Sequence, residues 1–294
     1  MTSVHRGGIL IRASAPAKIN LSLEVVGRRE DGYHLIHSVM QAISIRETIE
    51  ISKRSQPGIC LTVIGADVRA DQNNTAYRAA SAFFEKTGLG EIGLDIKLIK
   101  QVPVGAGLGG GSADAAAVLV ALNERANTGL SVEELCEIGA LVGADVPFCI
   151  MGGTALATGT GTTLHRLSPM PDCFIVIAKP VQSVSTAEAY RLIDDAEILP
   201  RGFLMEDVIK SDIKTIAGSL SNDFDSVIKL SGVEDIKRIM RLCCALGCQM
   251  TGSGSAVYAL FDKKDAATRC YNELLKHYRN VFLCKPDMEG ARTE

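Results

Sequence analysis

The stretch Pro103-Val104-Gly105-Ala106-Gly107-Leu108-Gly109-Gly110-Gly111-Ser112-Ala113 places five glycines within seven positions. Glycine takes up positive φ without steric cost and lets a backbone come close to a ligand. The β-like run Leu94 to Ile99 precedes the stretch, and the small-residue run Ala115 to Leu122 reads as a helix after it. The glycines therefore sit where a loop feeds a helix N-terminus, a place where free N–H groups and the helix dipole favour an anion such as phosphate. A Walker A loop is excluded, because no lysine stands between Gly111 and Ser112. A Rossmann loop would need an acidic ribose ligand about 20 residues on in a doubly wound setting, and that template does not fit either. The competing reading is a glycine-rich turn that only packs a helix.

The 294 residues, 47% hydrophobic and 22% charged, suit a soluble globular protein of one large or two moderate domains. The net charge of −3, with no basic run and no alternation of basic and aromatic residues, argues against a nucleic-acid surface and for small-molecule partners. Nine cysteines fall mostly inside apolar segments and include no C-x-x-C pair, so reduced core thiols are expected rather than zinc ligands or disulfides. The first residues lack a signal peptide's apolar segment and no apolar stretch approaches a membrane span, which makes a cytoplasmic protein with no membrane partner the expectation.

Short β-like segments are expected at Ile9 to Arg12, Ile19 to Val26, Ser38 to Ile45 and Thr48 to Ser52, with a turn at Arg29-Glu30-Asp31-Gly32. A helix from Thr75 to Lys86 has Asn74 as N-cap and Gly88 beyond its end, and Ser131 to Glu134 reads as a capping box for a helix that Gly143 stops. The strand Phe174 to Ala178 begins a second half, which places a domain boundary near residue 165 and gives units 1–165 and 166–294. That half reads as helices at Thr186 to Ile193, within Phe203 to Leu220, at Asp223 to Leu230, Val233 to Leu246 and Asp265 to His277. Its strands are expected at Gln249 to Thr251, Ala256 to Phe261 and Val281 to Lys285. Strands alternating with helices suggest an α/β sandwich with helices on one face.

Four further segments bear on chemistry. In Ala15-Pro16-Ala17-Lys18-Ile19-Asn20 a lysine interrupts an apolar strand, where it is either functional or a snorkelling side chain. In Gly143-Ala144-Asp145-Val146-Pro147 an aspartate stands among apolar residues, as a functional acid or as a helix N-cap. Asp31-Gly32-Tyr33-His34 puts an aromatic ring and an imidazole at a turn exit, and Thr251-Gly252-Ser253-Gly254-Ser255 is a second loop suited to an anion or to a plain hairpin.

Taken in order, Ala15 to Asn20, Pro103 to Ala113 and Thr251 to Ser255 resemble the three motifs of the galactokinase, homoserine kinase, mevalonate kinase and phosphomevalonate kinase (GHMP) superfamily, over nearly the whole chain. Pro16 to Leu21, Asp31 to His34, Gly143 to Pro147 and Ser221-Asn222-Asp223 resemble the branch that phosphorylates cytidine diphosphate methylerythritol in the non-mevalonate isoprenoid pathway. The Asp-Gly-Tyr-His element discriminates most between branches.

The resemblance implies an α/β (α+β) fold in two domains, the first like domain 2 of ribosomal protein S5 and the second a ferredoxin-like α/β sandwich. It implies ATP and Mg2+ as cofactors, with Pro103, Val104, Gly105, Ala106, Gly107, Leu108, Gly109, Gly110, Gly111, Ser112 and Ala113 around the nucleotide and Ser112 close to the β-phosphate and the magnesium. Asp145 would accept or orient the proton of the attacking hydroxyl, and Lys18 would keep Asp145 charged and offset charge on the transferred group. Asn20 would contact the methylerythritol end, while Tyr33, His34 and Tyr190 would recognise the cytosine. The implied assembly is a monomer or homodimer, and no resident metal ligand is assigned. The chain departs from the family pattern at Asn73, where aspartate is expected, at Ala106 in place of a glycine, and at Asp114, which could repel phosphates or help hold magnesium. Competing readings are a homoserine or phosphomevalonate kinase and a catalytically silent ligand sensor; Asp31 to His34 argues against the first, Lys18 with Asp145 against the second.

Overall fold

The computed structural model describes residues 10–90, 92–196 and 204–294. The chain opens with strands Ile11–Asn20 (β1), Ser22–Arg28 (β2), His34–Lys53 (β3) and Ile59–Ile64 (β4), then helix Thr75–Thr87 (α1) and strand Leu94–Ile99 (β5). Helices Gly110–Ala126 (α2), Val132–Val142 (α3) and Val146–Met151 (α4) lead to strands Thr154–Thr158 (β6), Thr163–Arg166 (β7) and Phe174–Lys179 (β8). Helices Thr186–Asp194 (α5), Met205–Val208 (α6) and Ile213–Gly218 (α7) precede strand Ser221–Asn222 (β9) and helices Asp223–Val227 (α8) and Ser231–Leu242 (α9). Strands Gly247–Met250 (β10) and Val257–Phe261 (β11), helix Lys264–Leu275 (α10) and strands Asn280–Cys284 (β12) and Arg292–Thr293 (β13) complete the order.

The long strand β3 is the spine of the first sheet. It pairs antiparallel with β1, β2, β5 and β6, and each of these carries further strands outward. Apolar residues of α1, α2 and α3 pack against it, among them Phe83, Leu119 and Ile138. The second sheet has the order β10-β11-β8-β12 and is antiparallel throughout. With crossovers through the helices before β10 and through α10, this is the ferredoxin-like β-α-β-β-α-β arrangement. Its one face buries α9 and α10 through Val233, Ile236, Cys270 and Leu274, and its other face meets the first sheet through Ile177, Leu260 and Tyr258. Tyr258 is fully buried, and its hydroxyl donates to the Asn20 carbonyl at 2.8 Å, so the phenol finds the partner it needs and ties β11 to the end of β1.

Local signals held where they were chemical. Asn74 accepts from Ala76 N as the cap of α1, Gly88 ends that helix at φ 66°, and Ser131 with Glu134 forms the reciprocal capping box of α3. Strand limits differ. The expected strands at Ser38 to Ile45 and Thr48 to Ser52 are one, because Arg46 and Glu47, which break the apolar pattern, both find partners inside the fold. Arg46 donates to Asp287 Oδ2 at 2.7 Å and to Gly290 O at 2.6 Å, and Glu47 meets Lys100 at 2.5 Å. The expected strand Ile19 to Val26 is cut at Leu21, and β1 runs unbroken to Asn20 by a register shift between Pro16 and Ala17 that accommodates a residue without an N–H. Strands β4, β6, β7, β9 and β13 and helix α4 were not anticipated. The expected strand start at Ile9 and helix start at Phe203 lie outside the described residues. All nine cysteines are free, as expected, but only Cys149, Cys173, Cys270 and Cys284 are buried and Cys244 is exposed.

Candidate active site

Three of the five loop glycines have positive φ: Gly105 at 62°, Gly107 at 74° and Gly109 at 73°. Gly110 and Gly111 instead begin α2, whose N-cap, Gly109, offers no side-chain acceptor to the first turn. The helix N-terminus therefore keeps its donors for something other than a cap. Gly107 and Gly109 also permit close packing: a Cβ on Gly107 would lie 2.1 Å from Thr251 O, and one on Gly109 3.2 Å from Lys18 Cγ. The loop lines a cleft of about 410 Å³ together with Asn73, Asn74, Thr75 and Lys100.

Both ends of the loop are anchored to one buried group of charges. Glu47 accepts from Gln101 N at 2.8 Å and Val102 N at 3.3 Å at the entrance. Lys100 Nζ pairs with Glu47 and Asp114 and donates to Gly110 O at 3.4 Å at the exit. Two carboxylates share one ammonium, all nearly without solvent. Burial pushes the Asp114 carboxyl up to about 7 despite Lys100, with Glu47 adding to the rise, and burial raises Glu47 as well. The second Asp114 oxygen, Oδ1, is buried without a hydrogen-bond partner.

Lys18 is 3% exposed on β1, so the snorkelling reading does not hold. Its Nζ donates to Asn20 Oδ1 at 2.8 Å and lies 3.5 Å from Asp145 Oδ2. Asp145 precedes α4 at its N-cap position but makes no capping hydrogen bond; its carboxylate faces Lys18 instead. Asn20 joins its own motif to the Thr251 loop. Its Oδ1 accepts from Lys18, from Gly252 N at 2.9 Å and from Thr251 Oγ1 at 3.2 Å, and its Nδ2 donates to Ser38 Oγ at 2.8 Å.

Lys18, Asn20, Asp145 and Ser112 line a larger cleft of about 750 Å³, whose far wall holds Tyr33, His34 and Tyr190. Tyr33 is 67% exposed. His34 stacks on Tyr190 with ring centroids 4.3 Å apart and an interplanar angle of 15°, and Phe224 meets Tyr190 at 82°. One face of Tyr190 is therefore covered by an imidazole rather than open to a base. His34 Nε2 lies 2.6 Å from Asp194 Oδ1, a hydrogen bond that holds the Asp194 carboxyl below the usual carboxylate range, and Arg28 approaches the other Asp194 oxygen at 3.1 Å.

The catalytic, nucleotide and substrate residues expected from the sequence thus line these two adjoining clefts or the loop between them, Ala113 lying just inside α2, whereas Asp31 and Ser221 to Asp223 line neither. Thr251, Gly252, Lys100, Glu47 and Asp194 complete the site and were not assigned from sequence. Thr251 and Gly252 stood in a loop already noted, whereas nothing local marks Glu47 or Asp194. Among the described residues no cluster of three His, Cys, Asp or Glu could hold a metal ion, and no helix is long and apolar enough to cross a membrane.

Family comparison agrees with this geometry. Residues 74–153 match the GHMP kinases N terminal domain and residues 204–280 the GHMP kinases C terminal family. Proteins named 4-diphosphocytidyl-2-C-methyl-D-erythritol kinase are similar along almost their full length. The one from Exiguobacterium sibiricum is 42% identical over 94% of this chain and 97% of its own, and that from Clostridium beijerinckii 41% over 94% and 99%. A crystal structure of 4-(cytidine 5'-diphospho)-2C-methyl-D-erythritol kinase superposes with a TM-score of 0.75 at 32% identity, covering 93% of this chain and 98% of that one. Homoserine kinase from Cytophaga hutchinsonii shares the fold, with a TM-score of 0.74 at 20% identity over 100% and 99% of the two chains. Kinase motifs, two-sheet fold and full-length similarity coincide: the chain belongs to the GHMP kinases, in the family of the 4-diphosphocytidyl-2-C-methyl-D-erythritol kinases.

Proposed function

We propose that this chain transfers the γ-phosphoryl group of ATP to the 2-hydroxyl of 4-diphosphocytidyl-2-C-methyl-D-erythritol, a step of the non-mevalonate isoprenoid pathway. The observation that carries the reading is the Lys18–Asp145 pair, 3.5 Å apart beside Gly109 of the phosphate loop and open to the larger cleft. Phosphoryl transfer needs alignment and charge stabilisation more than covalent help from the protein. Asp145 takes the hydroxyl proton as the oxygen–phosphorus bond forms, and the bond from the γ-phosphorus to the bridging oxygen breaks so that ADP leaves with its electron pair. Lys18, fixed by Asn20, offsets charge on the group in flight. No covalent enzyme intermediate is required.

The loop from Pro103 to Ala113 is the nucleotide cradle in this reading, supported by its positive φ values and by the uncapped start of α2. Mg2+ belongs to the same proposal and supplies neutralisation of the phosphates when bound with ATP. Ser112 is the loop hydroxyl suited to it, whereas Asp114 is committed to Lys100. Tyr33 and Tyr190 offer aromatic faces to the cytosine and His34 reads its edge; a base that stacks on Tyr190 uses the face away from His34 or displaces that ring. A division near residue 165 is also proposed, supported by the start of the second sheet at Phe174.

A coupled ADP-release assay with cytidine diphosphate methylerythritol, mevalonate phosphate and homoserine tests the reading. Turnover with the first alone supports it. Turnover with either of the others reassigns the substrate, and no ADP release with any acceptor supports a sensor.

A further inference from the structure

Asn222 lies in the Ser221-Asn222-Asp223 motif, outside both glycine loops and off the strand of Lys18. It is 2% exposed and uses both ends of its amide. Oδ1 accepts from Phe224 N at 2.9 Å, capping α8, while Nδ2 donates to Met250 O at 2.7 Å and to Gly252 O at 2.9 Å. Those carbonyls bracket Thr251. The backbone of Asn222 is held as firmly: β9 pairs with β2, Leu23 opposite Asn222, and Ser221 N donates to Leu21 O at 3.2 Å. Asn222 thus fastens the Thr251–Gly254 loop to the edge of the first sheet, where β9 ends the order β1-β3-β2-β9.

From Gly252 the hydrogen bonds continue to the reacting centre. Gly252 N donates to Asn20 Oδ1 at 2.9 Å, the same oxygen that receives Lys18 Nζ at 2.8 Å, and Lys18 then faces Asp145. Loop and ammonium are in near contact, since a Cβ on Gly252 would stand 3.4 Å from Lys18 Nζ. Only a primary amide meets the demand at Asn222, because the cap needs an acceptor and the two carbonyls need two N–H donors. Serine brings one donor and an ionised aspartate none.

We propose that Asn222 is a positioning residue for phosphoryl transfer: by holding the Met250 and Gly252 carbonyls it fixes the Gly252 amide on Asn20, and with it the acceptor that aims the Lys18 ammonium. The proposal rests on the role assigned to Lys18 above. Loss of the amide leaves two buried carbonyls unpaired, and the loop relieves this by shifting, which misplaces Lys18 without removing any group that touches ATP or acceptor.

The test compares Asn222→Ala, Asn222→Asp, Lys18→Met and Lys18→Met/Asn222→Ala in the full chain, with rates normalised to ADP-binding sites counted by calorimetry. Asn222→Ala should lower kcat roughly 10-fold or more and leave both KM values within about 3-fold, and on the Lys18→Met background it should cost less than about 3-fold further. Asn222→Asp should recover kcat relative to wild type as pH falls, because the protonated carboxyl regains one donor, and Asn222→Ala should not. A wild-type kcat in Asn222→Ala, or an equal loss on both backgrounds, overturns the proposal. Full activity in Lys18→Met overturns the role of Lys18 and this inference with it, so the two failures are told apart. If Asn222→Ala does not unfold cooperatively, Asn222→Asp at neutral pH, alone and with Lys18→Met, carries the same comparisons.

Discussion

The Lys18 ammonium and the Asp145 carboxylate are 3.5 Å apart, and the cation is the hidden member, its side chain 4% exposed against 30% for the acid. The carboxylate is therefore the group that an incoming hydroxyl can reach. The ammonium acts from within the protein, where its field is screened least.

Asp145→Asn should lower kcat roughly 100-fold or more while ATP affinity changes little, since it removes the proton acceptor and preserves shape. Steady-state rates beside a calorimetric ATP titration check this. Wild-type turnover would leave Asp145 with no part in the chemistry.

Lys18→Met should lose kcat to a similar degree, and adding Asp145→Asn should cost little more, because the two groups act as one unit. Fully multiplicative losses in the double variant would mean that they act independently.

Gly107 and Gly105 both have positive φ, at 74° and 62°, yet their surroundings differ. A Cβ on Gly107 would meet Thr251 O at 2.1 Å, whereas one on Gly105 has nothing within 4 Å. Alanine at Gly105 bears backbone strain alone, on the order of 1 kcal/mol; alanine at Gly107 also forces the phosphate loop off the Thr251 loop. ATP titration with circular dichroism on both variants should show a distinctly larger loss for Gly107→Ala. Equal affinities would mean that the contact between the loops is dispensable.

Tyr190→Ala should raise KM for the cytidine substrate roughly 5- to 100-fold, the range expected for one lost stacking partner of about 1–3 kcal/mol. His34→Ala should in addition blunt the preference for cytidine over uridine versions of the substrate. Undiminished preference in His34→Ala would show that the turn at Asp31 to His34 does not read the base.

Asp114 links stability to pH. Its carboxyl is pushed up to about 7 by burial, above its value of 3.8 in an unfolded chain, so between those limits the folded protein holds the extra proton. Stability contributed by that proton is complete below the unfolded value and is lost as pH rises towards about 7. Asp114→Asn cannot titrate. Its Tm relative to wild type should therefore climb from about pH 4 to about pH 7 and level off above, whatever the constant offset from the altered Lys100 pair. A flat difference across that range, read by calorimetry, would place the proton elsewhere.

What could be read without coordinates was chemistry written into contiguous residues. The glycine run, the Asn74 cap and the Ser131–Glu134 box each specify local geometry by themselves. Lys18 and Asp145 were recognisable as odd residues in apolar settings, but only the family resemblance paired them, because their meeting depends on β1 and α4 being brought together by β3 and α2. The same limit explains the misread of β3. Arg46 and Glu47 look like a strand break until Asp287 and Lys100, supplied from far along the chain, satisfy them. Asp194 carries no local mark at all, and Asn222, though part of a recognisable motif, shows its role only through the Met250 and Gly252 carbonyls it holds.

The two residues of β13 reach back to the opening strand, Thr293 opposite Ala13 and Arg292 opposite Ser14. At ribosomal speeds the strand bearing Lys18 emerges on the order of tens of seconds before that partner exists. Throughout that interval the Ala13–Ser14 end of β1 is an unpaired margin, with N–H and C=O groups able to accept a strand from another nascent chain. A stalled chain ending short of residue 292 should accordingly be more prone to aggregate than the finished protein, even with every catalytic residue already made.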